Sequence, residues 1–146
     1  MVVKYPPSIL NRAIISFLLL LAGALIYATC RQEVLFLMPF DAEWLARIKI
    51  EVDCAECNML TRWIIFCLPD ALWYAALLNI QLALCDGGAV GKGLLCLSIA
   101  LPFAFESMQW LGLMPGTFDW LDIVTYLLTL TIFILCQRKQ FGLSWC

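Results

Sequence analysis

Acidic side chains and one amide lie beside the long apolar stretches of this chain, at Asp70, Glu106, Gln109, Asp119 and Asp122. An acid at the centre of a bilayer helix costs roughly 2.5 to 3.5 kcal/mol, so an ionisable residue inside a membrane span is by default a candidate functional residue. Carboxylate and amide oxygens accept hydrogen bonds from hydroxyl groups, attract cations and ligate hard divalent ions. The five residues therefore predict a polar site for a sugar-bearing ligand, a cation or a divalent ion. For Asp119 and Asp122, helix capping is the structural alternative.

The composition indicates the environment of these residues. The 146-residue chain is 64% hydrophobic and 14% charged, whereas about a quarter of the residues in soluble domains are charged. Four apolar runs, at residues 13–29, 63–85, 94–113 and 120–136, are close to the roughly 20 residues that cross a bilayer core. We therefore predict an all-α fold, a four-helix transmembrane bundle that forms a single domain over residues 1–146. Membrane lipid is the expected surrounding partner, and no nucleic-acid partner is expected.

Lysine and arginine in the short connections indicate how the bundle is oriented. Basic residues flank the same ends of the predicted spans, at Lys4, Arg12, Lys92, Arg138 and Lys139. Because short cytoplasmic loops are enriched in Lys and Arg, we predict that both termini are cytoplasmic and that the membrane is the bacterial inner (cytoplasmic) membrane. In this interpretation Arg12 precedes the first span, which is retained because it lacks a convincing cleavage site.

The connection between the first and second spans contains a further pattern. Within residues 34–50, Trp44, Leu45 and Ile48 recur at helical spacing, while charged residues occupy another face. The segment is too charged to cross a membrane. It predicts an interfacial amphipathic helix in the first outer loop, which either anchors the loop or covers a site.

The predicted topology brings the polar residues together on the outer side of the membrane. Asp70 enters the second span about seven residues after its start, which is roughly 10 Å of helix. Glu106 lies near the outer end of the third span, and Asp122 lies in the first turn of the fourth. Residues three or four positions apart share a helix face. We predict an outward-facing ligand-binding cleft formed by Asp70, Glu106, Gln109, Asp119, Asp122 and Tyr126.

Proline lies close to two of these acids. Pro69 directly precedes Asp70, and Pro102 lies one turn before Glu106. Because proline lacks an N–H donor and its ring crowds the preceding turn, we predict that the second and third spans bend at these points.

The cysteines suggest a disulfide rather than a metal centre. Cys54-Ala-Glu-Cys57 falls in the first outer loop, where a local disulfide and free thiols are both possible. The chain has no histidine and no second cysteine pair near this one, which argues against zinc. We expect no metal centre and no cofactor.

The acidic motifs resemble a known family. Glu106-x-x-Gln109, followed by Asp119-x-x-Asp122 at the head of the last helix, is similar to the motif of VanZ-like membrane proteins. The segment around Asp70 resembles an earlier aspartate segment of the same family. The similarity covers about residues 63–136.

Family members are small helical membrane proteins, and one of them gives its name to low-level teicoplanin resistance. The resemblance implies an envelope protein that binds or acts on a sugar-containing envelope component or a glycopeptide. This chain differs from the family in having Gly116 where an arginine is usual and Thr125 where an asparagine is usual, and in having no basic pair after Asp70.

Two other functions are compatible with the sequence. Four-helix oxidoreductases that pass electrons from thiols to quinone carry a Cys-x-x-Cys pair before their second helix, as Cys54 and Cys57 do here, but they also have a second pair that this chain lacks. A membrane scaffold or assembly subunit would instead pair its acids with basic groups of a partner, so an oligomer or a partner subunit is possible.

Overall fold

The computed structural model describes residues 9–30, 58–86, 88–89 and 91–141, with side chains as far as residue 137. This part of the chain forms five helices: α1 (Ile9–Cys30), α2 (Met59–Phe66), α3 (Leu68–Asp86), α4 (Lys92–Trp110) and α5 (Trp120–Phe141). All except the short α2 are long and apolar enough to cross a membrane. The prediction of an all-α four-helix bundle is confirmed, and the apolar helices indicate an integral membrane protein. The predicted loop helix, Cys54 and Cys57 lie outside the described residues.

Helix α3 is the centre of the bundle. It contacts α1, α2, α4 and α5, and its interface with α1 is the most extensive of these contacts. Half of the buried side chains in the described part of the chain belong to it: Pro69, Ala71, Tyr74, Ala76, Leu78, Asn79 and Ala83. The flanking helices α1, α4 and α5 expose many large apolar side chains, as expected for helices that face lipid. A site inside the bundle is therefore expected to include residues of α3.

The second apolar run forms two helices and not the single helix predicted over residues 63–85. Helix α2 ends at Phe66, Cys67 forms a turn, and α3 starts at Leu68. Pro69 explains the break, because its nitrogen has no hydrogen to donate to the carbonyl of Ile65 four residues earlier. The helix is thus interrupted next to the proline, and Asp70 lies in the first turn of the new helix.

Two glycines define the ends of α3 and α4. Gly88 and Gly112 both have positive φ, at 71° and 68°. The N–H of Gly112 bonds to the carbonyl of Gln109, and the N–H of Leu113 bonds to the carbonyl of Met108. This pair of bonds is the Schellman motif, which favours glycine at its left-handed position. The third span consequently ends at Trp110 and not at residue 113, as predicted from hydrophobicity.

Close packing between α1 and α3 depends on Gly23. The indole N–H of Trp73 donates to the carbonyl of Leu20 at 3.2 Å, and the Trp73 ring also packs on Tyr27 with centroids 5.5 Å apart. A Cβ atom at position 23 would lie 2.5 Å from Trp73 Nε1 and 3.1 Å from the carbonyl oxygen of Pro69. Only glycine admits the indole at this distance, as is common where membrane helices approach closely.

We expect Gly23→Ala to lower the free energy of unfolding by about 1 to 3 kcal/mol, because the methyl group must displace Trp73 or separate the helices. Thermal unfolding of the purified protein in detergent measures this change. Gly93→Ala is the matched control, since a Cβ there meets no atom within 4 Å. Equal melting temperatures for the two variants would contradict the importance of this contact.

A buried polar cluster lies at the end of the bundle opposite the acids. Arg12 is 2% exposed, and its guanidinium donates to Asn79 Oδ1 at 3.2 Å and to Gln137 Oε1 at 3.0 Å. Asn79 in turn donates to the carbonyl of Arg12 at 2.9 Å and to Ser16 Oγ at 3.0 Å. The prediction that Arg12 precedes the first span is wrong. It lies inside α1, and these bonds satisfy its guanidinium within the bundle.

Candidate functional site

Antiparallel packing of three helices brings the acidic residues together. Asp70 lies in the first turn of α3, Glu106 lies near the end of α4, and Asp122 lies in the first turn of α5. Glu106 interacts electrostatically with Asp122, Asp119 and Asp70. The sequence placed these four residues in one layer, and in the structure they do converge at one end of the bundle. We call them the acidic cluster.

Glu106 is the most deeply buried member of the acidic cluster. Its residue is 5% exposed, and its Oε2 atom accepts from the backbone N–H of Asp119 at a long 3.5 Å. Asp70 and Asp122 are half-buried. The Asp122 carboxylate accepts a hydrogen bond from the thiol of Cys67, which is 2% exposed. A buried acid among like charges is stabilised by ligands that bring positive charge or hydrogen-bond donors.

A layer of aromatic rings lies beneath the acidic cluster. The rings of Tyr74, Phe103 and Tyr126 contact one another edge to face, with centroids 5.6 to 6.5 Å apart. On each of the three helices, one ring lies a single helical turn from an acid. Tyr74 is four residues after Asp70, and Tyr126 is four residues after Asp122. Phe103 is three residues before Glu106. The rings therefore separate the polar cluster from the apolar centre of the bundle.

Tyr74 also bonds to α4 close to Pro102, which lies inside this continuous helix. Its hydroxyl donates to the carbonyl of Ile99 at 3.1 Å, in the turn of α4 where the missing proline N–H disturbs the backbone hydrogen bonds. Sequence reasoning missed Tyr74 and Phe103, although their spacing from Asp70 and Glu106 would have identified both.

Asp119 and Gln109 shape the rim of the site. Asp119 is exposed and caps α5, because its Oδ1 accepts from the backbone N–H of Leu121 at 2.8 Å. The half-buried Gln109 lies against Gly116, where a Cβ atom would come 2.6 Å from Gln109 Nε2. Gly116 has a φ of 129°, so glycine suits this position both sterically and conformationally.

Exposed aromatic side chains lie at the same end of the bundle as the acidic cluster. Trp110 and Trp120 are 72% and 70% exposed, and Phe118 packs between them with ring centroids 6.5 and 4.9 Å away. Trp63 differs, because its indole N–H donates to the buried hydroxyl of Thr125 at 2.9 Å and so joins α2 to α5. This end of the bundle thus combines apolar ring faces with carboxylate and amide acceptors.

No group of three or more Cys, Asp or Glu side chains in the described ranges is placed to hold a metal ion. Comparisons of the chain with protein-family models, with curated proteins and with solved structures give no match.

Proposed function

We propose that this chain is a VanZ-like envelope membrane protein whose acidic cluster binds or acts on a sugar-containing envelope component or a glycopeptide. The observation that carries the proposal is the convergence of Asp70, Glu106 and Asp122 above a layer of aromatic rings. Topology alone brings these helix ends together, but burying Glu106 beside other acids costs free energy that helix capping does not require. The cluster faces the outside of the bacterial inner membrane in this proposal, with both chain termini in the cytoplasm.

The chemistry of this end of the bundle suits a sugar-bearing ligand. Sugar hydroxyl groups donate hydrogen bonds, and the carboxylates of the acidic cluster and the amide of Gln109 accept them. Sugars also present C–H faces, which pack against aromatic rings such as Trp110 and Trp120. A few polar groups within an apolar and aromatic surround are typical of small-ligand sites.

The residues that resemble the family motif lie at this same place. Glu106, Gln109, Asp119 and Asp122 all border the acidic cluster or its rim. Two of the three departures from the family pattern have local structural partners, because Gly116 lies against Gln109 and Thr125 accepts from Trp63. An arginine at position 116 would have to displace Gln109, so this chain presents an amide where a charged side chain is usual in the family.

Ligand binding can be measured from tryptophan fluorescence, since Trp110 and Trp120 lie at the same end of the bundle as the acidic cluster. The probes are the soluble disaccharide pentapeptide of peptidoglycan and the glycopeptide teicoplanin, each titrated into the protein in detergent. We expect Glu106→Gln and Asp122→Asn to weaken binding of the responding probe at least about tenfold, which equals the loss of roughly 1.4 kcal/mol from one good hydrogen bond to a charged group.

Asp86→Asn is the matched control, because Asp86 is an exposed acid at the opposite end of α3. Failure of wild type to bind either probe, or equal binding by all variants, would reject the proposal. Orientation is tested separately by single cysteines at positions 119 and 86 in a variant without native cysteines. A membrane-impermeant maleimide should label position 119 from outside and leave position 86 unlabelled.

A further inference from the structure

A groove runs along the membrane-embedded surface between α1 and α5, with α3 as its floor. Its volume is about 430 Å³, and its lining residues include Ile15, Leu19, Ala71, Ala75 and Leu128. The groove is deep because the side chains of Ala71 and Ala75, at its base on α3, are small. The groove extends along α5 from Thr125 to Gln137, which is about 18 Å of helix. One leaflet is about 15 Å deep, half of a 30 Å hydrocarbon core, so the groove has the length of one lipid chain.

The polar groups of the groove are confined to its two ends. At the acidic end, the polar atoms of Trp63 and Thr125 bond to each other and close the groove. The hydroxyl of Thr129, in between, donates to the carbonyl of Thr125 in its own helix at 2.8 Å. The wall between these ends presents hydrocarbon, which favours an apolar chain over a polar segment.

The other end of the groove lies next to the buried positive charge of Arg12, which also interacts electrostatically with Asp86. Asn79 and Gln137 line it, and both accept from the guanidinium of Arg12, which keeps its charge at any physiological pH. The Gln137 amide nitrogen has no hydrogen-bond partner in the described part of the chain and can donate to a ligand. Arg138 and Lys139 follow directly in the sequence. Basic sites between transmembrane helices are typical binding sites for anionic lipid headgroups.

We infer that the groove binds an anionic glycerophospholipid from the leaflet at the Arg12 end, with one acyl chain between α1 and α5 and the phosphate beside Gln137. Charge complementarity selects an anionic headgroup, and the closed end at Trp63 limits the chain to one leaflet. This inference does not depend on the acidic cluster, which lies on the other side of the contact between α3 and α5.

Native mass spectrometry of the delipidated protein in detergent tests the inference. The probes are dioleoyl phosphatidylglycerol and dioleoyl phosphatidylcholine, which share acyl chains and differ in charge. We expect the wild type to bind one phosphatidylglycerol about tenfold more tightly than phosphatidylcholine. Ala75→Trp fills the groove floor and should abolish that binding. If Ala75→Trp does not fold, Ile132→Trp is used in its place. Ile132 lines the same groove at an exposed position, so the larger side chain blocks the groove there.

Two further variants complete the test. Leu127→Trp is the matched control, because Leu127 is 50% exposed on α5 and does not line the groove. Gln137→Glu gives Arg12 a carboxylate partner and places a negative charge beside the phosphate, so it should keep the fold and lose the preference for phosphatidylglycerol. Equal binding of the two lipids would overturn the inference. So would binding that survives both tryptophan variants, or a protein dimer that only the groove variants dissociate.

Discussion

Replacing Asn79 by leucine is expected to lower the free energy of unfolding by about 3 kcal/mol, because it leaves the charge of Arg12 in an apolar environment without its amide acceptor. Asn79 makes three hydrogen bonds, one as acceptor from the guanidinium and two as donor to the Arg12 carbonyl and to Ser16. Leucine is similar in size, so the loss would reflect polar contacts and not a cavity. Unfolding in a titration of denaturing detergent measures the effect.

A double-mutant cycle separates the charge from its partner. Arg12→Met removes the charge and leaves the Asn79 amide in place, whereas the double variant removes both. Since a buried charge that has lost one of its acceptors is costlier than an apolar pair, the double variant should be more stable than the sum of the two single changes predicts, by about 1 to 3 kcal/mol. Ser16→Ala removes only one neutral acceptor and serves as the control, with an expected loss of about 1 kcal/mol. Additive effects of Arg12→Met and Asn79→Leu would show that the two side chains do not depend on each other.

The fold follows from the sequence because four apolar runs have no alternative to crossing the membrane as helices. The helix ends were harder to predict, since they are set by single residues. Gly112 ends α4 three residues before the apolar run stops, and Pro69 divides the second run at Cys67. The hydrophobicity of the sequence does not reveal either of these helix ends, because both arise from backbone hydrogen bonds.

Convergence of the acidic residues was predictable because alternating helix directions bring the start of α3, the end of α4 and the start of α5 to one side. Helix rotation was not predictable, and rotation decides which side chains face each other. The aromatic layer of Tyr74, Phe103 and Tyr126 was therefore only partly anticipated, through Tyr126 alone.

The Arg12 cluster was missed for a different reason. An arginine near the start of an apolar run usually reaches the water at the membrane surface. Here Asn79 and Gln137, which are distant in sequence, supply acceptors inside the bundle. Only the packing of α1 on α3 reveals that these residues meet.

Glu106→Gln should raise stability while it weakens ligand binding. The Glu106 carboxylate is 5% exposed and faces three other acids, so neutralising it removes both a desolvation cost and repulsion between like charges. Glutamine keeps the shape of the side chain and retains an oxygen that can accept from the Asp119 N–H. We expect the free energy of unfolding to rise by about 1 kcal/mol, a gain typical of neutralising a functional residue at the expense of activity.

The two measurements must be made on the same preparation, by thermal unfolding and by the fluorescence titration with the disaccharide pentapeptide and teicoplanin. Asp86→Asn removes an exposed acid far from the cluster and should leave binding unchanged, and because Asp86 attracts Arg12 it should not raise stability. A loss of stability in Glu106→Gln would mean that the carboxylate holds the helices together and is structural. A gain in stability together with a loss of binding would mean that the bundle keeps a destabilising acid for the sake of its ligand. No purely structural role of Glu106 produces that combination.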